Sequence, residues 1–161
     1  LKVFLQCYPD ITFLKLSAMG AEAAEITKEF KHLEFLEVSP DSKNISEVVI
    51  ARPWKSIAIQ SSDKIEFKKL SAVRPRVAEL AIFGSTIDGA TIEHMLSAME
   101  LGKVYFQSCH FSEDALSAFA RSPNKIEVEL HEKKKEFEQV KQIVAKAKTG
   151  KVKVTVVCGK K

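Results

Sequence analysis

Leu101-Gly102-Lys103-Val104-Tyr105-Phe106 places apolar residues at spacings of three and then two, and the chain repeats this phrase seven times. The other copies are Ile11/Leu14/Leu16, Leu33/Leu36/Val38, Trp54/Ile57/Ile59, Val77/Leu80/Ile82, Pro123/Ile126/Val128 and Lys151/Val154/Val156. Pro123 and Lys151 fill the first slot of the last two. The third positions follow one another at steps of 22, 21, 23, 24, 22 and 28 residues. Self-similarity at a period of roughly 20–30 residues marks a repeat architecture. In Val104-Tyr105-Phe106 the apolar pair lies two apart, which puts both side chains on one face of a short strand.

Downstream of each phrase the period changes. After Phe106 comes a turn, then Ser112 as an N-cap, with Glu113 and Asp114 in the first helical turn where they favour the helix dipole. Ala115, Leu116 and Phe119 recur at helical spacing. Ala23/Ile26/Phe30, Ile45/Val48/Val49 and Ile92/Met95/Leu96/Met99 do the same, and Pro53 and Pro75 close two of these helices. Each unit reads strand, turn, short helix, return. The last unit is longer. Phe137, Val140, Val144 and Ala147 predict an amphipathic helix over 131–149 that ends at Gly150. Val152–Val157 alternates as a final strand.

The phrase set resembles the leucine-rich repeat over nearly the whole chain, roughly residues 9–158. That resemblance implies an α/β solenoid, with a concave parallel sheet of about seven short strands and helices on the convex side. The family's asparagine or cysteine, three residues past the last leucine, falls here on Met19, Asp41, Ser62, Ser85, Cys109, His131 and Gly159. Cys109 fits, and Asp41, Ser62 and Ser85 can hydrogen-bond. The next family leucine is met by Ile87 and Phe111. This irregular pattern is similar to the repeats of F-box substrate receptors in ubiquitin ligases, and Tyr8-Pro9-Asp10-Ile11-Thr12-Phe13-Leu14-Lys15-Leu16 has their style. Nucleotide-binding immune receptors and messenger-RNA export factors carry comparable repeats.

One domain over 1–161 is expected, with 131–161 as an extended capping repeat. The opening Leu-Lys-Val-Phe has no polar cap, which reads as a fragment whose N-terminal repeat packs on preceding sequence and frays or self-associates without it. Three widely spaced cysteines, Cys7, Cys109 and Cys158, give neither a disulfide framework nor a zinc pattern. This suits a reducing compartment, cytoplasm or nucleus. No apolar run is long enough for a membrane span. Net charge is +4, yet residues 125–161 hold eleven lysines against five glutamates, so the preceding part is slightly acidic.

Binding is expected along the concave face. Its first row is Lys15, Glu37, Ala58, Ala81, Tyr105, Glu127 and Thr155. Its second row is Ser17, Ser39, Gln60, Phe83, Gln107, Glu129 and Val157. A flanking row contains Phe13, Phe35, Ser56 and Glu79, then a positive stripe of Lys103, Lys125 and Lys153. Phe83 and Tyr105 are neighbours where water is expected, and exposed aromatics of this kind make hot spots. Glu127 and Glu129 would suit a basic group of a partner. These residues predict a non-enzymatic protein-interaction module without cofactor, the recognition region of a larger intracellular receptor such as a ubiquitin-ligase adaptor. The alternative is nucleic-acid or anionic-surface binding through the basic patch Lys133, Lys134 and Lys135. In Ser108-Cys109-His110, adjacent side chains point apart, so the thiol and imidazole do not form a nucleophile–base pair. The four histidines show no metal-ligand spacing.

Overall fold

A computed structural model describes residues 7–8, 10–16, 29–38, 53–60, 74, 76–121, 125–132, 134–146 and 152–158. Its main feature is a seven-stranded, all-parallel sheet built from β1 (Phe13–Leu16), β2 (Phe35–Val38), β3 (Trp54–Gln60), β4 (Arg76–Phe83), β6 (Glu100–Gln107), β8 (Ile126–Glu132) and β9 (Val152–Cys158), in that spatial order. The short strands β5 (Thr86–Ile87) and β7 (His110–Phe111) pair separately. Among the described residues the helices are α1 (Gly89–Ala98), α2 (Glu113–Ala120) and α3 (Lys134–Lys146). The chain is therefore α/β, and each strand of the main sheet lies beside its neighbours in sequence.

The pairing aligns the phrases. Leu14, Leu36, Ile57, Leu80, Val104, Val128 and Val154 form one line across the sheet, and Leu16, Val38, Ile59, Ile82, Phe106, Leu130 and Val156 form the next. Most of these side chains enter one continuous core with Ile92, Met95, Ala115, Phe119 and Val140 from the helices. Leu80, Ile82, Val104, Phe106, Val128 and Leu130 are fully excluded from water. Burying each large one contributes roughly 1.5–3 kcal/mol.

The spacing of three has a backbone cause. In an unbroken strand, Leu33 and Leu36 would point to opposite faces, yet both are buried. The N–H groups of Glu34 and Phe35 both donate to the Thr12 carbonyl, at 3.0 Å. Those of Lys55 and Ser56 both donate to Glu34 O, at 3.1 Å. Two consecutive donors on one acceptor form a bulge that absorbs one residue and re-aims the side chain before it. Leu33 and Trp54 thereby turn into the core. On the next strands the register runs from Val77↔Leu101 to Glu79↔Lys103 and passes over Ala78 and Gly102. A Cβ at Gly102 would stand 2.8 Å from the Ala78 carbonyl oxygen, so the close approach there needs glycine.

The sixth phrase corrects the sequence reading. Val104 pairs with Val128 and Phe106 with Leu130, so the phrase is Lys125/Val128/Leu130 and not Pro123/Ile126/Val128. The last two steps become 24 and 26, more even than 22 and 28. Strand β8 alternates without a bulge, with Ile126, Val128, Leu130 and Glu132 all buried. His131 and Glu132 accordingly belong to the strand, and the helix expected over 131–149 spans Lys134–Lys146 within the described residues.

Other local expectations are refined. Asp88 caps α1, accepting from Thr91 N at 2.8 Å and Thr91 Oγ1 at 2.7 Å. Ser112 does stand at the N-cap of α2, but its hydroxyl makes no capping bond. It donates instead to the Ile87 carbonyl at 3.4 Å and to the Asp114 carboxylate. Cys109 is buried in its turn, with Sγ 3.5 Å from Ile82 O and 3.6 Å from Gln107 O. Ser85, its counterpart one unit earlier, is also fully buried. Ile87 and Phe111 pair with each other in the small sheet. Pro53 directly precedes β3. The helices expected around 23–30 and 45–49, and Met19, Asp41, Ser62, Pro75 and Gly159, lie outside the described residues, except Glu29 and Phe30, the latter a buried core residue.

Candidate functional site

One face of the sheet faces the helices, and no described element packs on the other. The alternation that buries Ile57 and Ile59 leaves Ser56, Ala58 and Gln60 on that open face. The middle row across it is Lys15, Glu37, Ala58, Ala81, Tyr105, Glu129 and Thr155. Glu129 thus replaces Glu127 in the expected row. The next row contains Gln60, Phe83, Gln107, His131 and Val157, with His131 where Glu129 was expected. Ser17 and Ser39 lie outside the described residues.

Three rings gather at the centre. Tyr105 lies diagonal to Phe83, with ring centroids 5.8 Å apart, and on its other side to His131, at 4.5 Å. Its hydroxyl donates to Gln107 Oε1 at 3.0 Å. Burial among these neighbours raises the Tyr105 pKa, and the Glu129 carboxylate adds to the effect. His131 was not among the residues the sequence marked for binding, because a two-residue register error had placed it in a turn.

The acidic pair expected to await a basic partner is already engaged. Glu129 binds His131 Nε2 at 2.5 Å and Lys103 Nζ at 2.7 Å. Those two bonds, His131 first, hold its carboxyl below the ordinary carboxylate value, and Lys103 is raised in return, chiefly by its bond to Glu129. Glu127 accepts Lys153 Nζ at 2.8 Å, which lowers its pKa likewise. The positive stripe Lys103, Lys125, Lys153 does not form either. In register, the flanking row reads Glu79, Lys103, Glu127, Lys153, an alternation of sign. Like charges directly opposite one another destabilise a sheet and opposite ones support it.

Toward the other end, Lys15 Nζ lies 2.6 Å from Glu37 Oε1, and Gln60 Nε2 donates to the same oxygen at 3.4 Å. The structure thus gathers Lys15, Glu37 and Gln60 in one group, and Phe83, Tyr105, Gln107 and Glu129 in a second. Lys133 lies outside the described residues, as do the side chains of Lys134 and Lys135.

Of the three cysteines, Cys109 is the buried one. Burial pushes its thiol up to about 11, and His110 beside it is exposed. Among the described residues, no group of three or more His, Cys, Asp or Glu is placed to hold a metal ion. No described helix is long and apolar enough to cross a membrane. Comparison with protein-family models, curated proteins and solved structures finds no match to this chain.

Proposed function

We propose that this chain is a protein-interaction module whose partner lies across the open face of the sheet. The observation that carries this reading is the cluster of Phe83, Tyr105 and His131, three rings in contact on a sheet face that no described element covers. Aromatic anchors surrounded by polar groups are the usual makeup of binding hot spots. Side chains around the cluster are held by hydrogen bonds and ion pairs, which lowers the ordering cost of association. The sequential strand order and the alignment of seven phrases support the finer reading of the chain as a leucine-rich-repeat solenoid.

Affinity capture with the wild-type chain and a Phe83→Ala/Tyr105→Ala variant tests the interface. Truncating one hot-spot aromatic costs about 2 kcal/mol or more, roughly thirtyfold in affinity. A partner retained by wild type should therefore be lost from the variant, while thermal unfolding stays close to wild type. Equal retention by both would remove the proposed site. The host we infer is a larger intracellular receptor of the ubiquitin-ligase adaptor type, supported by the resemblance at Tyr8–Leu16. Co-purification of the full-length gene product with the ligase subunit that binds F-boxes tests that host. A full-length product without an F-box would end it.

A further inference from the structure

The open face divides into two chemically different halves. Over β6, β8 and β9 the charges are closed among themselves, as Lys103–Glu129–His131 and Lys153–Glu127. Over β2 and β4, Glu37 is paired with Lys15 through one oxygen, and Glu79 is left outside the ion pairs of the described residues. Glu79 stands opposite Lys103 in register, but that ammonium is given to Glu129 at 2.7 Å. Among the described residues, no ion pair forms at Glu79. Glu37 uses only Oε1 for both Lys15 and Gln60, and its other oxygen carries no partner among the described residues.

These two carboxylates flank a low point in the sheet surface. Ala58 sits between Glu37 on β2 and Ala81 on β4 in direct register. Glu79 and Phe83 are its diagonal neighbours on β4, and Phe35 is its diagonal neighbour on β2. Two methyl groups thus form the floor, and longer side chains stand around it, two of them acidic and two aromatic. Strands β2 and β4 lie about 10 Å apart, twice the interstrand spacing, which is wide enough to admit a planar cation between their side chains. Phe35 already attracts one cation, since Lys55 Nζ lies 5.3 Å from its ring centroid.

We propose that this part of the face is a socket for one arginine side chain of a protein partner, floored by Ala58 and Ala81, with Glu37 and Glu79 as acceptors and Phe35 as the stacking wall. The inference rests on the interface reading above and specifies its partner chemistry. Arginine suits the site better than lysine. Its planar guanidinium stacks on rings and forks to carboxylates, and it is more weakly hydrated.

Titration of the full 161-residue chain with N-acetyl-arginine amide, followed by amide chemical shifts, tests it. N-acetyl-norleucine amide and N-acetyl-glutamate amide serve as controls. Saturable shifts confined to residues 35–37, 56–60 and 79–83 are expected with the arginine probe alone. Glu79→Gln should weaken them severalfold. Ala58→Leu, which fills the floor, should abolish them while the signals of β8 and β9 stay in place. No saturable shift, or equal shifts with norleucine amide, would overturn the socket. The two readings fail separately. A partner captured by wild type and by Ala58→Leu, but not by Phe83→Ala/Tyr105→Ala, would overturn the socket and leave the interface standing. Equal capture by wild type and the double variant would remove the interface, and the amide titration would still decide the socket.

Discussion

At the scale of single residues, position along the strand phrase decides the fate of a side chain more than its chemistry does. Cys109 follows Phe106 by three and is turned under the sheet edge, 4% exposed, with its thiol raised to about 11. The thiolate is the nucleophile, so a protonated buried thiol is inert at neutral pH. Cys7 and Cys158 are exposed. Iodoacetamide should therefore add to two cysteines of the native protein and to the third only after unfolding, as read by intact mass. Three adducts under native conditions would contradict the burial of Cys109. The turn position of Cys109 was an expectation of the repeat resemblance. Which lysine each glutamate finds was not legible, because that depends on lateral register between strands 20 or more residues apart, and the sequence states this register only through its apolar pattern.

At the scale of the element, the bulge explains both the successes and the one register error. Where Leu33, Trp54, Val77 and Leu101 hold the first slot, a spacing of three followed by two admits one alignment, and β2, β3, β4 and β6 were readable. In Ile126-Glu127-Val128-Glu129-Leu130 the alternation is unbroken, so Ile126/Val128 and Val128/Leu130 fit the phrase equally. With Pro123 or Lys125 in the first slot, no apolar residue arbitrated. The error moved Glu127, Glu129 and His131 by one row position each. The bulge also yields a prediction. Gly102→Val would drive a side chain into the Ala78 carbonyl, the nearest atom at 2.8 Å. Overpacking of this kind costs about 1–3 kcal/mol. The unfolding free energy should fall by that amount, read as a lower denaturant midpoint at unchanged slope, and a midpoint equal to wild type would show that the two backbones can separate freely.

At the scale of the whole molecule, each strand of the sheet has its sequence neighbours beside it, so stability is a property of adjacency. The central strands β4 and β6 have a partner on both sides, and their inward residues are fully buried. Among the described residues the outer strands β1 and β9 have one neighbour each, and Leu14, Val154 and Val156 are only partly buried. Amides of Arg76–Phe83 and Glu100–Gln107 should exchange slowest with deuterium, with protection declining toward both outer strands. Protection of Phe13–Leu16 equal to that of the centre would mean that the first strand is held by something beyond its single neighbour.

The unequal steps have a different consequence. Pairing stays residue for residue across the sheet, although the third positions are separated by as few as 21 and as many as 26 residues. The surplus is absorbed in the segments that return from one strand to the next. Such a chain can gain or lose residues in those returns without moving a letter of the open face. It can also exchange single letters of that face without touching the core beneath. Length variation and recognition are thereby free to evolve on separate parts of the same unit.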